Sequence, residues 1–221
     1  MTNDLTGKET TRARSGGELA RPFAPSEGVP ARSADFATSI ADSVESFLLS
    51  VRAIAADGDG GSAVPMLLLE VSQILLAGAR LGAQQDFEPR EEFQPDVGME
   101  ADVDELRMGL AEMFGDIDTY SFVFDPYSPD VVDSQISDDV ASLVTDLEYG
   151  LRHYRLGDVD EALWWWQFSY VNNWGNLAGA VLNALLTVVA HDRLDSEPFT
   201  GEDEDLAAAD EMLEKTAATA T

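Results

Sequence analysis

The chain has 221 residues, of which 45% are hydrophobic, and a formal net charge of −29. A chain of this length and composition can bury a sizeable core, and it forms at most one domain with flexible ends. The absence of cysteine excludes disulfides, thiol catalysis and cysteine-ligated zinc.

The negative charge is concentrated in the central part of the chain. Residues 1–34 carry five basic and four acidic side chains, residues 35–195 seven basic and thirty acidic, and residues 196–221 one basic and eight acidic. Such a field repels nucleic acid backbones and anionic lipids and favours basic partners or cations. We therefore predict a basic protein partner and no direct nucleic acid binding. Two other interpretations explain the same charge. The acidic residues keep the protein soluble in a salty or crowded cytoplasm, or the acidic surface mimics DNA.

Composition divides the chain into a disordered mixed-charge tail at 1–34, a folded domain at 35–195 and an acidic, disordered tail at 196–221. No stretch reaches the roughly 18 uncharged apolar residues of a membrane span. The N-terminus has no hydrophobic signal core. The sequence therefore predicts a cytoplasmic protein that does not enter a membrane, and it leaves the oligomeric state open.

Two helices are predicted at the start of the domain. Apolar residues recur at helical spacing over 35–56, and a more apolar helix runs over 62–84. A polar line crosses this second helix and consists of Glu70, Gln73, Ala77, Arg80 and Gln84. The line is either a solvent-facing strip with structural salt bridges, or a pocket wall in which Glu70 and Arg80 act on a ligand.

Further along the chain, a surface loop is predicted over 86–101 and a short helix over 102–114. Another helix begins with Ser137 as its N-cap, with acidic residues in its first turn and basic residues in its last. Gly157 and Asp158 then make a tight turn into the next helix. The two helices should therefore pack as an antiparallel hairpin.

The segment between these helices is rich in aromatic residues. Tyr120, Phe122 and Phe124 alternate as in a β-strand, but no second strand is evident. We therefore expect an extended segment packed on helices. Its Tyr120, Asp125 and Tyr127 either line a pocket or seal the core.

All four tryptophans lie in the last predicted helical stretch, 158–194. Asp158 is a suitable N-cap, with Glu161 three residues on as in a capping box. Gly175 and Gly179 each cost roughly 1 kcal/mol relative to alanine in a helix interior, so they mark a kink or the close approach of another backbone. The sequence leaves open whether this stretch is one helix or two. An apolar stripe follows the helical period and consists of Leu163, Trp166, Tyr170, Trp174, Leu177, Val181, Leu185 and Val188.

Trp165 lies opposite this stripe on the helical wheel, in line with Ser169, Asn172 and Asn176. An aromatic ring beside a hydroxyl and two amides is suited to sugar, nucleobase or peptide ligands. The competing interpretation is that a central helix is contacted on several sides and buries Trp165, with its indole N–H bonded to a neighbour.

Most signatures of enzymes are absent from the sequence. It contains no Gly-rich phosphate loop, no GxSxG and no HExxH. The only histidines are His153 and His191, and neither has a glutamate three residues before it, as helical di-iron sites require. We therefore predict no catalytic residues, no cofactor and no metal.

Four strings carry a family resemblance, and they are AVPMLLLEVSQILLAGARLGA, FDPY, ISDDVASLVTDL and GDVDEALWWWQFSYVNNWG. Over about residues 35–195 the chain resembles an actinobacterial family of acidic proteins, classed only as domain of unknown function 5063. The resemblance implies a bacterial cytoplasmic protein and supplies no catalytic residues. Genes of this family often lie beside a recombination-mediator gene, which implies a link to DNA maintenance.

Together these patterns predict an all-α, single-domain helical bundle of about six helices that acts without catalysis as a protein-interaction or scaffold module. The alternative is a helical protein that binds a small molecule or hydrolyses one with a metal. The candidate partner- or ligand-binding residues are Trp165, Ser169, Asn172, Asn176, Glu70, Arg80 and Tyr127.

Overall fold

The computed structural model describes residues 29–57, 60–90 and 95–194. Within these ranges the chain forms five α-helices and a β-hairpin, so the mainly helical prediction is confirmed, whereas the expectations of six helices and no sheet are wrong. In chain order the elements are α1 (Val29–Asp57), α2 (Gly60–Gly82), α3 (Asp104–Phe114), a 3-10 turn (Gly115–Ile117), β1 (Thr119–Asp125), β2 (Ser128–Gln135), α4 (Ile136–Leu156) and α5 (Val159–Leu194).

Four of the helices form a closed ring around one core. Helix α1 packs on α2, α2 on α5, α5 on α4, and α4 back on α1, while α3 covers α1 and α4. The largest fully buried side chains come from all four helices of the ring and include Phe47, Leu67, Leu147, Trp166 and Trp174. Burying each such side chain stabilises the fold by roughly 1.5–3 kcal/mol.

Helix α5 is one continuous helix, which resolves the alternative that the sequence left open. A π-helical segment, Tyr170–Trp174, interrupts its α-helical geometry. The extra residue of such a segment widens the turn. The rings of Tyr170 and Trp174 pack against α2 at Gly78, where an added Cβ would lie 2.5 Å from atoms of both side chains. A Cβ at Gly175 would lie 2.5 Å from the carbonyl oxygen of Tyr170 in the same helix, and one at Gly179 would meet no atom within 4 Å. Neither glycine therefore shows the close approach of another backbone that the sequence predicted.

The β-hairpin replaces the unpaired extended segment that the sequence predicted. Strand β1 pairs with β2 in antiparallel register, from Thr119 opposite Gln135 to Val123 opposite Val131. An irregularity between Val123 and Asp125 precedes the turn. The hairpin lies over α4 through β2 and over α5 through β1.

The start of α4 is capped by a residue from outside the helix. Ser137 is not the N-cap, because α4 begins one residue earlier, at Ile136. The buried carboxylate of Asp118 accepts hydrogen bonds from the Ser137 N–H at 2.9 Å and from its hydroxyl at 2.7 Å. One side chain thus satisfies a helix N-terminal donor and ties the 3-10 turn to α4.

The turn between α4 and α5 follows its prediction, but the predicted capping box is wrong. Gly157 adopts φ 90°, and the N–H groups of Gly157 and Asp158 return to carbonyls at the end of α4. The side chain of Asp158 makes no capping hydrogen bond. Glu161 is buried instead and accepts the backbone N–H of Arg90 at 2.7 Å.

Helix α1 begins at Val29, ahead of the predicted start at Asp35, and Pro30 fits in its first turn. The remaining predicted tails, 1–28 and 196–221, lie outside the described residues. Two helical stretches, Gly61–Gly82 and Val159–Leu194, are long and apolar enough to cross a membrane by length and composition alone. Core helices of water-soluble proteins pass the same test, and both stretches pack within the bundle.

Candidate functional site

Trp165 is half-buried, and its polar group is bonded inside the protein. Its indole N–H donates to the backbone carbonyl of Asp146 at 2.9 Å. Its ring lies against Tyr149, with 4.5 Å between the ring centroids. This geometry matches the interpretation in which Trp165 is packed against a neighbouring helix, here α4, with its indole N–H bonded to that helix.

The other residues of the Trp165 line do not form one surface with it. Ser169 is buried, donates to the carbonyl of Trp165 at 2.7 Å and accepts the indole N–H of Trp174 at 3.1 Å. Asn172 is exposed and donates to the carbonyl of Phe168 at 2.8 Å. Asn176 is exposed further along the helix, beside β1.

Glu70 and Arg80 lie ten residues apart on α2, which corresponds to about 15 Å of helix rise. Glu70 is only 8% exposed, whereas Arg80 is at the surface. Arg80 donates to the hydroxyl of Ser39 at 3.1 Å, and its guanidinium carbon lies 5.4 Å from the ring centroid of Phe36. The structure therefore does not bring the two residues into one pocket, and the polar line divides into buried and exposed members.

The hairpin presents apolar side chains to solvent. Tyr127, at its turn, is 97% exposed, and Val131 is 69% exposed. These apolar side chains lie on both faces of the hairpin, together with three acidic residues, and the sequence from 108 to 151 contains ten acidic residues and no lysine or arginine. We call this the hairpin surface, and its members are Val123, Phe124, Asp125, Tyr127, Asp130, Val131, Val132 and Asp133.

The base of the hairpin is held firmly on α4. The Tyr120 hydroxyl donates to one carboxylate oxygen of Asp139 at 2.6 Å, and the Ser134 hydroxyl donates to the other at 2.9 Å. Burial raises the pKa of Tyr120 and also the pKa of Asp139. The ring of Phe122 stacks on Tyr120, with 5.5 Å between the ring centroids. These contacts hold the exposed end of the hairpin on a fixed support.

A groove of about 440 Å³ separates β1 from the C-terminal half of α5. This volume lies within the range of roughly 300–1,000 Å³ that is usual for ligand pockets. Its walls contain both apolar and amide groups. Its lining residues are Ser121, Phe122, Val123 and Phe124 from β1, and Gly175, Asn176, Gly179, Ala180 and Asn183 from α5.

The predicted site residues did not include two buried polar residues near the turn between α4 and α5, which are His153 and Glu161. His153 is 0% exposed, and neither ring nitrogen has a hydrogen-bond partner among the described residues. Burial lowers the pKa of His153, while the carboxylates of Asp158 and Glu161 act in the opposite direction. A lone histidine and a glutamate in the first turn of a helix carry no sequence pattern that identifies them.

Of the predicted site residues, the structure thus places Tyr127 on the hairpin surface and Asn176 in the groove beside it. Sequence patterns missed the valines of the hairpin surface because the second strand was not recognised. Alternation of Tyr120, Phe122 and Phe124 was the available signal, and it identified β1 alone.

Comparison with known proteins supports the fold. A family model described as "Domain of unknown function (DUF5063)" matches residues 32–191. The chain is also similar to the crystal structure of protein BF1032 from Bacteroides fragilis, at 18% sequence identity and a TM-score of 0.54. That match covers 67% of this chain and 89% of the other. No curated protein matches the chain.

Proposed function

This chain belongs to the DUF5063 family, and we propose that it acts without catalysis as an interaction module that binds a basic protein partner through the hairpin surface. The observation that carries the proposal is the exposure of large apolar side chains beside acidic ones on a firmly held hairpin. Exposed apolar patches with a polar rim are typical of protein interaction sites.

The chemistry of the hairpin surface defines the kind of partner. Tyrosine is among the residues that contribute most to binding when an interface buries it, and Tyr127 is fully available. Asp125 and Asp130 flank it in the sequence, Asp133 lies further along β2, and no basic residue occurs between 108 and 151. Such a field accelerates association with a basic surface and disfavours acidic partners.

The alternative, a small-molecule or metal-dependent site at Glu70 and Arg80, has less support. The two residues are about 15 Å apart along the helix, and Arg80 is engaged with Ser39 and Phe36. Within residues 29–57, 60–90 and 95–194, no group of three or more His, Asp and Glu side chains is placed to hold a metal ion. Neither observation favours hydrolysis.

A cytoplasmic location and a role in DNA maintenance belong to the same proposal. The net charge of −29 disfavours direct contact with DNA, so the link passes through a partner. Proteins that bind DNA carry basic surfaces, and such a surface complements the hairpin surface.

The experiment is a pull-down from the native cytoplasm with the full tagged chain, at low and at high salt. The test variant combines Tyr127→Ser and Val131→Ser. The matched control is Leu49→Ser, because Leu49 is 68% exposed on α1 and Val131 is 69% exposed on the hairpin. Mass spectrometry identifies the retained proteins.

We expect a basic protein that is retained at low salt by the wild type and by Leu49→Ser, and lost from the double variant. Retention should fall as salt rises, because salt screens exposed charges. Equal retention by the double variant would place the partner elsewhere on the chain. Absence of any partner at low salt would overturn the proposal.

A further inference from the structure

The groove beside β1 runs along the edge of the strand and not along its face. Successive side chains of a strand point to opposite faces. A cavity on one face would be lined by alternate residues, yet the consecutive residues Ser121, Phe122 and Val123 all line this groove. The position of the groove therefore coincides with the edge of β1 that does not pair with β2.

This edge carries backbone groups that are free to bond. β1 pairs with β2 alone, and no other strand occurs in the part of the chain that the structure describes. In an antiparallel pair, every second residue turns its N–H and C=O away from the partner strand. The outward groups of β1 have no backbone partner within the described ranges. An unpaired row of this kind is a template for another strand.

The opposite wall of the groove carries small residues and side-chain amides. Its residues lie on one side of α5, and an added Cβ at Gly179 would meet no atom within 4 Å. The side-chain amides of Asn176 and Asn183 make no hydrogen bond to any described residue, so both can bond a peptide backbone.

The two walls also agree in length. From Gly175 to Asn183 the helix rises about 12 Å, and from Ser121 to Phe124 the strand extends about 10 Å. The groove therefore accommodates about four residues of an extended chain.

The charge around the groove indicates which kind of segment it can bind. The strand wall belongs to the acidic stretch 108–151, and α5 has no charged residue between 162 and 190. A second copy of this chain would bring two acidic hairpins together and raise their repulsion. A basic segment would instead be attracted, and its alternate apolar side chains would meet Phe122, Phe124 and the small residues of α5.

We propose that an extended segment of the partner, with alternating basic and apolar residues, adds as a third strand to β1 in this groove. The inference rests on the proposed function and deepens it, because it states how the partner is bound. Main-chain hydrogen bonds to the edge of β1 hold the segment, and its side chains select the sequence.

The test uses a phage library of random twelve-residue linear peptides, selected on the full chain in about 0.15 M salt, where charges further apart than about 8 Å are screened. Peptides selected on the wild type, without any selection against a variant, are then measured for binding to Gly179→Leu, whose side chain fills the groove. Gly179→Ala is the matched variant, since its methyl group meets no atom and leaves most of the groove open. Circular dichroism verifies that both variants are folded.

Enriched peptides are then synthesised with N-methyl groups at alternate positions. A strand uses the N–H of every second residue, so methylation of one alternate set should abolish binding and methylation of the other should not. We expect alternating basic and apolar sequences, with the dissociation constant raised about tenfold or more by Gly179→Leu and less by Gly179→Ala.

Peptides that bind both glycine variants equally, or that tolerate either set of methyl groups, would overturn strand addition. A library without any peptide that discriminates the wild type from Gly179→Leu would do the same. In each case the proposed function still stands if the pull-down yields a partner that depends on Tyr127 and Val131. The proposed function fails only if the pull-down yields no such partner. The peptide experiment and the pull-down therefore distinguish failure of strand addition from failure of the proposed function.

Discussion

Replacing Gly150 by alanine tests how closely α4 packs against α5. An ideal Cβ at Gly150 would lie 2.2 Å from Nε1 of Trp166 and 2.5 Å from its Cδ1, closer than real Cβ atoms approach their neighbours. Trp166 is fully buried, and its indole N–H donates to the carbonyl of Leu147 at 3.0 Å. The indole must therefore move away from α4, which breaks its hydrogen bond to the Leu147 carbonyl. At Gly179, by contrast, the same methyl group meets no atom within 4 Å.

The two substitutions should change stability in opposite directions. Each gains about 1 kcal/mol from the higher helix propensity of alanine. At Gly150 this gain is opposed by overpacking of about 1–3 kcal/mol. A further cost of about 1–3 kcal/mol arises because the displaced indole N–H loses its buried acceptor. We expect Gly150→Ala to lower the free energy of unfolding by about 1–5 kcal/mol, and Gly179→Ala to raise it by up to about 1 kcal/mol.

Equilibrium urea unfolding, followed by far-UV circular dichroism, measures both free energies. The slope with urea should be the same for both variants and the wild type, because the surface exposed on unfolding hardly changes. In thermal unfolding each 1 kcal/mol corresponds to about 2–4 °C for a chain of this size. A Gly150→Ala variant at least as stable as the wild type would refute the packing of Trp166 against α4.

Three further predictions concern residues with buried or internal hydrogen-bonding groups. Asp118→Ala leaves the buried donors of Ser137 without acceptors and should lower the free energy of unfolding by about 1–3 kcal/mol in urea, whereas the exposed Asp116→Ala should change it little. Because burial lowers the pKa of His153, the unfolded state binds a proton more readily than the folded state. The free energy of unfolding should therefore fall as the pH drops below about 6.5. Urea unfolding at a series of pH values should show that His153→Phe removes this dependence on pH. Trp165→Phe removes one internal hydrogen bond and should lower the free energy of unfolding by about 0.5–1.5 kcal/mol while partner retention in the pull-down is unchanged.

The long helices were predictable because their apolar residues repeat with the helical period. The stripe of α5 is the clearest case: Leu163, Trp166, Trp174, Val181 and Leu185 are all fully buried. Burial of one face is a property of local spacing, so it can be deduced without knowledge of the neighbouring helices.

The hairpin was not predictable because its second strand has almost no local strand pattern. β2 contains Pro129, Asp130 and Asp133, residues that strands disfavour, and its two valines are exposed. It forms a strand because β1 pairs with it and because Asp139 holds Ser134 at its end. These contacts join residues from separate elements and leave no periodic signal in the sequence.

The same limit applies to the site residues and to the helix caps. The helical wheel put Trp165 opposite the apolar stripe, but it could not show that Tyr149 of α4 packs against its ring. Asp118 caps a helix that begins 18 residues later in the chain, so no capping motif contains it. The π-helical segment depends on the space at Gly78, which belongs to another helix.

Amide hydrogen exchange of the full chain, measured with and without the captured partner, tests most directly whether the hairpin is the binding surface. We expect slower exchange in Thr119–Asp125 and Ser128–Gln135 when the partner is bound, with the outward amides of β1 most affected, and unchanged exchange in α1. Protection confined to α1 or α2, with the hairpin unchanged, would contradict binding of the partner by the hairpin.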